Sequence, residues 1–310
     1  MTLDESPKSR RAERGTMDDG EPSAVAETAD TAAAFGAVAN ETRLAILRAL
    51  WETDDPRSFS DLRSAVGVRD SGRFNYHLGE LVGRFVREAA GTEDHDGGYK
   101  LTYAGRQVVG AVHSGVYGDA ASLDPLEAGP CPECDATLLA TYEDETVDVT
   151  CQGCGITVTR FGAPPTLLRG FDREELPLAF SHWVQSLMER TRRGFCPQCS
   201  GRVRPGLARE LQETVGLYGA RFDCEVCDAT VMGALGVVVF DHPAVVRFHA
   251  DHGIDLRETP VWTVPWLLDE PATVESEDPL RVRLDAEIDG DRLVLTLDES
   301  LAVVETDRSP

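Results

Sequence analysis

The sequence predicts an α+β chain of 310 residues, with a helical first third that ends in a small hairpin and a remainder of β units organised around cysteine. Three observations predict it. Apolar residues recur at helical spacing between residues 31 and 118. All 8 cysteines fall into Cys-x-x-Cys pairs, namely Cys131/Cys134, Cys151/Cys154, Cys196/Cys199 and Cys224/Cys227. Beyond Leu280, apolar and polar positions alternate about the hairpin dipeptide Asp289-Gly290. These patterns divide the chain into a leader (residues 1–29), a helix-and-hairpin domain (30–118), a first cysteine unit (119–165), a connecting helix (166–194), a second cysteine unit (195–240) and a C-terminal helix with an acidic hairpin (241–310).

The leader is polar and acidic, has no hydrophobic signal segment, and reads as disordered. Ala32 to Ala39 is an alanine-rich helix. Asn40 caps the next, in which Leu44, Leu47, Leu50 and Trp51 share helical spacing. A short helix capped by Ser60 runs to Val66, and Gly67-Val68 forms the turn. Ser71 caps a helix to about Val82, with Phe74, Leu78, Leu81 and Val82 on its apolar face. Two short strands bracket the loop GTEDHDG, and Thr102 starts a closing helix.

From Asp119 an acidic linker leads to the first cysteine pair. Thr137–Tyr142 and Thr146–Thr150 are β-prone runs about the turn Glu143-Asp144-Glu145, and ITVTRF supplies a third strand. Phe171 to Arg193 is an amphipathic helix, after which the second set of cysteine pairs repeats the layout. His242 to Gly253 is a helix, VWTVPWLL an apolar strand or anchor, and the last 30 or so residues a β-hairpin.

Three helices followed by a hairpin is the winged helix-turn-helix arrangement. The strings ANETRLAILRAL, SFSDLRSAVGV, DSGRFNYHLGEL and GYKLTYAGRQV resemble the ArsR-type winged-helix transcriptional regulators common in archaea, over roughly residues 31 to 118. HPAVVRFHADHGIDL and PVWTVPWLL also resemble the C-terminal part of uncharacterised haloarchaeal winged-helix proteins. The first resemblance implies double-stranded DNA as partner and a homodimer formed through the first and closing helices. Phe35, Val38, Val108, Val109 and Val112 would meet there, although the same residues serve equally as intramolecular core. Residues 31 to 118 contain no cysteine, so metal sensing near the helices is unsupported.

In a winged helix the second helix of the turn motif enters the major groove, N-terminal residues foremost. That places Arg69, Ser71, Arg73, Asn75, Tyr76 and His77 near DNA, with Arg87 and Lys100 at the base of the wing. Arg forks to guanine edges or phosphate, Asn pairs with adenine, and Ser71 and Tyr76 suit phosphate oxygens. His77 has an alternative place, turned inward under the wing. Wings usually carry basic side chains, whereas this loop carries Glu93, Asp94 and Asp96.

Each Cys-x-x-Cys turn aims two sulfurs at one point, and two turns complete the tetrahedral sulfur set that structural zinc prefers. Sixteen residues separate the first two pairs and twenty-four the last two, enough for a hairpin between knuckles, which is the zinc-ribbon layout. Two structural Zn²⁺ ions follow. Four cysteines close each site, which leaves no position for a reacting water and argues against an enzyme. Thiol redox chemistry and iron–sulfur ligation are the rival uses. The flanking Pro, Gly and Asp residues lack the strand-to-helix setting of a thioredoxin-like pair. His182, His242, His249 and His252 are spare metal-binding side chains that two complete quartets do not need.

The formal charge is −24, and Lys8 and Lys100 are the only lysines. An acidic surface served by Arg resembles proteins of salt-loving archaea, where molar salt screens charges within ~3 Å. The charge is uneven: 10 basic against 11 acidic residues between Thr31 and Tyr117, but 5 against 16 from Ala250 to Pro310. A nucleic-acid partner requires such sparing of the N-terminal domain. No apolar run approaches the ~18 residues of a membrane span, and the cytoplasm is the expected location. The reading is a DNA-binding regulator whose cysteine body positions the dimer, binds an effector or contacts the transcription machinery. The alternative is a general factor or adaptor, like archaeal relatives of TFIIE, acting through protein contacts.

Overall fold

The structure, a computed structural model, describes residues 31–91, 97–210, 217–269 and 272–309. The leader and the loop acids Glu93, Asp94 and Asp96 lie outside these residues. The chain is mixed α+β with antiparallel sheets, and it divides into two compact units, Met1–Val109 and Gly110–Pro310.

The first unit begins with α1 (Thr31–Val38) and α2 (Glu41–Trp51). Asn40 caps α2 by accepting from the amides of Thr42 and Arg43 at 3.0 and 3.3 Å. Helix α3 (Phe59–Val66) is capped two residues earlier than its sequence implies. Ser58, not Ser60, accepts from the Asp61 amide, and Gly67 ends the helix at φ 76°. Helix α4 (Ser71–Gly79) is capped by Asp70, whose Oδ1 takes the Arg73 amide at 2.6 Å, so Ser71 is the first helical residue instead of the cap.

Strands β1 (Val86–Ala89) and β2 (Gly98–Leu101) pair antiparallel, with Val86 opposite Leu101. Arg57 and Tyr99 exchange backbone hydrogen bonds, tying the turn before α3 to the hairpin. Glycine is required at 98 because a Cβ there would lie 2.3 Å from the Arg57 carbonyl oxygen. Thr102 caps α5 (Tyr103–Ser114) by accepting from the Gly105 amide. The core gathers Ile46, Leu47, Leu62, Phe74, Leu78 and Leu81 from α2, α3 and the α4 region, whereas Trp51 and Val82 remain exposed.

In the second unit, the expected linker residues form a strand. β3 (Leu123–Pro130), β4 (Thr137–Glu143), β5 (Thr146–Cys151) and β6 (Thr157–Gly162) make a four-stranded antiparallel meander. Short α6 (Leu167–Gly170) precedes α7 (Leu176–Arg192), which begins five residues later than expected, with Pro177 in its first turn. β7 (Val203–Ala208), β8 (Gly219–Cys224) and β9 (Thr230–Ala234) form a three-stranded sheet, followed by α8 (Leu235–Val239) and α9 (Pro243–Asp251). The segment VWTVPWLL is helical, not extended: a 3-10 turn at Val261–Thr263 leads into α10 (Pro265–Asp269). Pro265 pre-sets the backbone for that helix start.

The C-terminal hairpin is the centre of a larger sheet. β10 (Thr273–Glu277), β11 (Leu280–Ile288), β12 (Asp291–Leu297) and β13 (Val303–Ser309) pair in chain order. The β11–β12 turn has Asp289 and Gly290 at φ 52° and 90°, the left-handed pair that a two-residue hairpin demands.

One hydrophobic core runs through this second unit, from Leu126 in β3 to Leu301 beside β13, and it includes Cys131, Cys151, Cys196 and Cys224. Buried hydrogen bonds cross it. The Trp262 indole donates to the Ala128 carbonyl at 2.8 Å, and Ser181 on α7 accepts from the Val261 amide at 2.9 Å. The cysteine units, connecting helix and C-terminal sheet therefore share one interior, where the sequence predicted separate ribbons.

Candidate metal centres

The four cysteine pairs assemble by neighbours into two quartets, Cys131/Cys134/Cys151/Cys154 and Cys196/Cys199/Cys224/Cys227. In each, the ligand atoms lie within 4.8 Å of one another. The shorter separations are 3.5 Å for Cys134–Cys151 and Cys199–Cys224, 3.8 Å for Cys196–Cys227 and 3.9 Å for Cys131–Cys154. Tetrahedral Zn–S bonds of ~2.3 Å put sulfurs about 3.8 Å apart, so the spacing fits a closed four-thiolate zinc site and is far from the ~2.05 Å of a disulfide.

The backbone builds the same cup four times. In each knuckle the first cysteine's amide bonds the carbonyl five residues on: Cys131 to Ala136, Cys151 to Ile156, Cys196 to Gly201 and Cys224 to Ala229. The residue after the second cysteine turns left-handed, namely Asp135, Gly155, Ser200 and Asp228, at φ between 56° and 76°. Short polar residues and glycine tolerate that conformation best. This signal was present in the sequence, immediately after every second cysteine, and cysteine counting alone passed over it.

Amides also aim at sulfur. Gly153 and Cys154 approach Cys151 at 3.3 and 3.5 Å, Gly201 approaches Cys199 at 3.3 Å, and Val226 approaches Cys224 at 3.4 Å. The Cys154 amide, with that of Gly153, holds the Cys151 thiol down at about 6. The Cys227 amide, with that of Val226, holds Cys224 down at about 7. One sulfur of each quartet is thus shifted towards thiolate, which is the form a metal needs. In every pair the first cysteine is buried and the second exposed, so each site has one side in the core and one at the surface.

The histidines take other work. Among the described residues both candidate metal groups consist of cysteine. His182 bonds the Arg257 carbonyl, His242 caps α9, His249 is buried against Trp266, and His252 faces Asp291 at 3.4 Å.

The sequence-selected polar residues of the first unit fall into two groups. Arg69, just before α4, and Ser71, Arg73, Asn75 and Tyr76 on it are all exposed. The Arg43 guanidinium lies 5.7 Å from the Tyr76 ring centroid and donates to the carbonyls of Gly36 and Ala37, an anchor that the sequence reading missed. His77 does not share this surface. It is 8% exposed, and burial, then the nearby Arg43, pushes its pKa below the ordinary value. Arg87 and Lys100 are cross-strand partners in β1 and β2, the first exposed and the second half-buried.

Residues 31–112 match a family described as a domain of unknown function (DUF7347), and residues 128–303 match a second, also described as a domain of unknown function (DUF7351). No curated protein and no solved structure matches the chain. The second match takes in both cysteine quartets and more than half of the 310 residues, and the chain belongs to the DUF7351 family.

Proposed function

We propose that this protein is a sequence-specific DNA-binding transcriptional regulator of the cytoplasm, with an N-terminal winged helix-turn-helix of ArsR type and two structural Zn²⁺ ions. One observation carries the reading. Arg69, Ser71, Arg73, Asn75 and Tyr76 stand exposed together at the start of α4, in a stretch that is nearly neutral within a chain of −24. Arg87 and Lys100, paired across the hairpin, supply two further cations for phosphate. The closed quartets serve stability, so an enzymatic role has no support from them. Phe35, 68% exposed on α1, fits a homodimer contact.

Arg73→Ala tests the reading. Its amide, not its side chain, holds the Asp70 cap, so the fold and metal content stay unchanged. If Arg73 contacts phosphate, affinity falls and the salt slope of log K drops by about 1; if it reads a base, discrimination at one operator position falls by about 1–3 kcal/mol. Unaltered footprints and salt dependence would sink the assignment.

The adaptor reading has its own support. At the second quartet Phe195 and Val226 are 54% and 69% exposed, an apolar rim suited to a protein partner. Retention of RNA polymerase by the full chain, lost in Phe195→Ser/Val226→Ser and kept in Arg73→Ala, would favour it.

A further inference from the structure

The two quartets share a backbone but differ in what stands beside their exposed sulfurs. Cys134 and Cys199 hold matching places, each the second, exposed cysteine of the opening knuckle. Two neighbouring positions are exchanged in size: the first quartet has Ala136 and Gly153 where the second has Gly201 and Val226. A Cβ on Gly153 would lie 3.3 Å from the Cys134 sulfur and 2.6 Å from the Ala136 methyl. At the second quartet the Val226 side chain fills the matching space. Its Cγ2 stands 2.6 Å from where a Cβ on Gly201 would lie, a point 3.1 Å from the Cys199 sulfur. Cys134 therefore has a methyl group beside it where Cys199 has an isopropyl group.

Backbone donors differ in the same sense. The Gly201 amide bonds the Cys199 sulfur at 3.3 Å, whereas among the described residues no amide hydrogen-bonds the Cys134 sulfur. A donated hydrogen bond draws electron density from sulfur and lowers its reactivity. Charge adds a filter. Glu133 and Asp135 flank Cys134, where Gln198 and Ser200 flank Cys199. Anionic oxidants are repelled at Cys134 and neutral ones are not. Cys151, 3.5 Å from Cys134, supplies a second sulfur.

We propose that the first quartet is a modification site for hydrogen peroxide, entered at Cys134 and closed as a Cys134–Cys151 disulfide, while the second quartet is protected. The Cys134 thiolate attacks one peroxide oxygen, becomes a sulfenic acid and releases hydroxide. The Cys151 thiolate then attacks the Cys134 sulfur, forms the S–S bond and expels a second hydroxide. The two sulfurs lose two electrons in all, and the peroxide gains them. Two remaining thiolates do not close a tetrahedral site, so the quartet gives up its Zn²⁺. Cys131 and Cys151 pack in one core with Leu126, Leu138 and Val149, which carries the change into β3, β4 and β5. The inference rests on the zinc reading and is independent of the DNA reading.

Limiting peroxide on the zinc-loaded full chain tests it, read by a zinc-sensitive dye and by alkylation of the remaining thiols with peptide mapping. One equivalent of zinc is released about tenfold faster than the second, and the early product carries the Cys134–Cys151 disulfide. Ala136→Gly/Gly153→Val gives the first quartet the cover of the second and slows the early phase about tenfold. Gly201→Ala/Val226→Gly uncovers the second quartet and speeds its release towards that of the first. Counting ions before peroxide is added checks the zinc reading by itself, and thiol mapping gives the order of oxidation whatever metal is bound. Equal rates at the two quartets, first oxidation at Cys199, or an order that neither exchange moves overturns the proposal. Where an exchanged chain fails to fold, the order in the unmodified chain decides.

Discussion

Cys199→Ser removes one sulfur from the second quartet while disturbing little else, because Cys199 is exposed and serine keeps its shape. Structural zinc in small peptides is worth ~10–16 kcal/mol apparent, or roughly 2.5–4 kcal/mol per sulfur if shared equally. A domain's whole stability is only ~5–15 kcal/mol. For a unit spanning residues 110–310, each 1 kcal/mol moves Tm by about 2–4 °C, so the expected fall is about 5–16 °C. Its extent is set by the fold. Cys196 and Cys224 pack in the same core as Leu284, Leu295 and Leu297 of the C-terminal sheet. The loss is therefore felt in β11 and β12, more than fifty residues away in sequence. Calorimetry at fixed free zinc, with amide exchange of β11 and β12, reads this, and mass spectrometry at the same zinc level is expected to count two ions, the second held by three sulfurs. Full protection in β11 and β12 alongside a melted second quartet would refute the shared core.

Two further substitutions or titrations probe the same interior. Gly236→Ala places a Cβ 2.5–2.8 Å from the backbone of Leu267, which has no flexible end to yield. A change that normally stabilises a helix by about 1 kcal/mol should instead cost about 1–3 kcal/mol in urea denaturation; a neutral result would mean that α8 and α10 are farther apart. For His249, burial lowers the folded pKa below the ordinary 6.5, in keeping with a ring that accepts from Trp266 and donates to Val245. Its contribution to stability is fully present above pH 6.5 and is lost as pH falls through the lower folded value. Nitrogen chemical shifts should report a neutral ring at pH 6.5, and half-protonation there would contradict the buried pair.

Sequence patterns were most legible where the controlling interaction is local. Asn40 capped its helix as written, Asp289-Gly290 made its turn, and neighbouring cysteine pairs met. Caps chosen among several polar residues were less so. Ser58, Ser60 and Asp61 all suit a helix start, as do Asp70 and Ser71, and a shift of one or two residues decides which oxygen meets the free amides. Trp51 fitted the helical period of α2, but the neighbouring elements cover Ile46 and Leu47 and leave it 46% exposed. The direction of His77 likewise depends on what α4 packs against, which a one-helix pattern does not contain.

By itself the sequence determined where sulfur converges, where the chain reverses and which third is spared negative charge, because turn chemistry, ligand spacing and ionisation are written within a few residues. Only the tertiary structure decided that VWTVPWLL coils, that Leu123–Pro130 joins a sheet, and that cysteine units and the C-terminal strands share one interior. Those outcomes depend on which distant apolar surfaces exclude water together, a property of the whole packed unit and not of any segment.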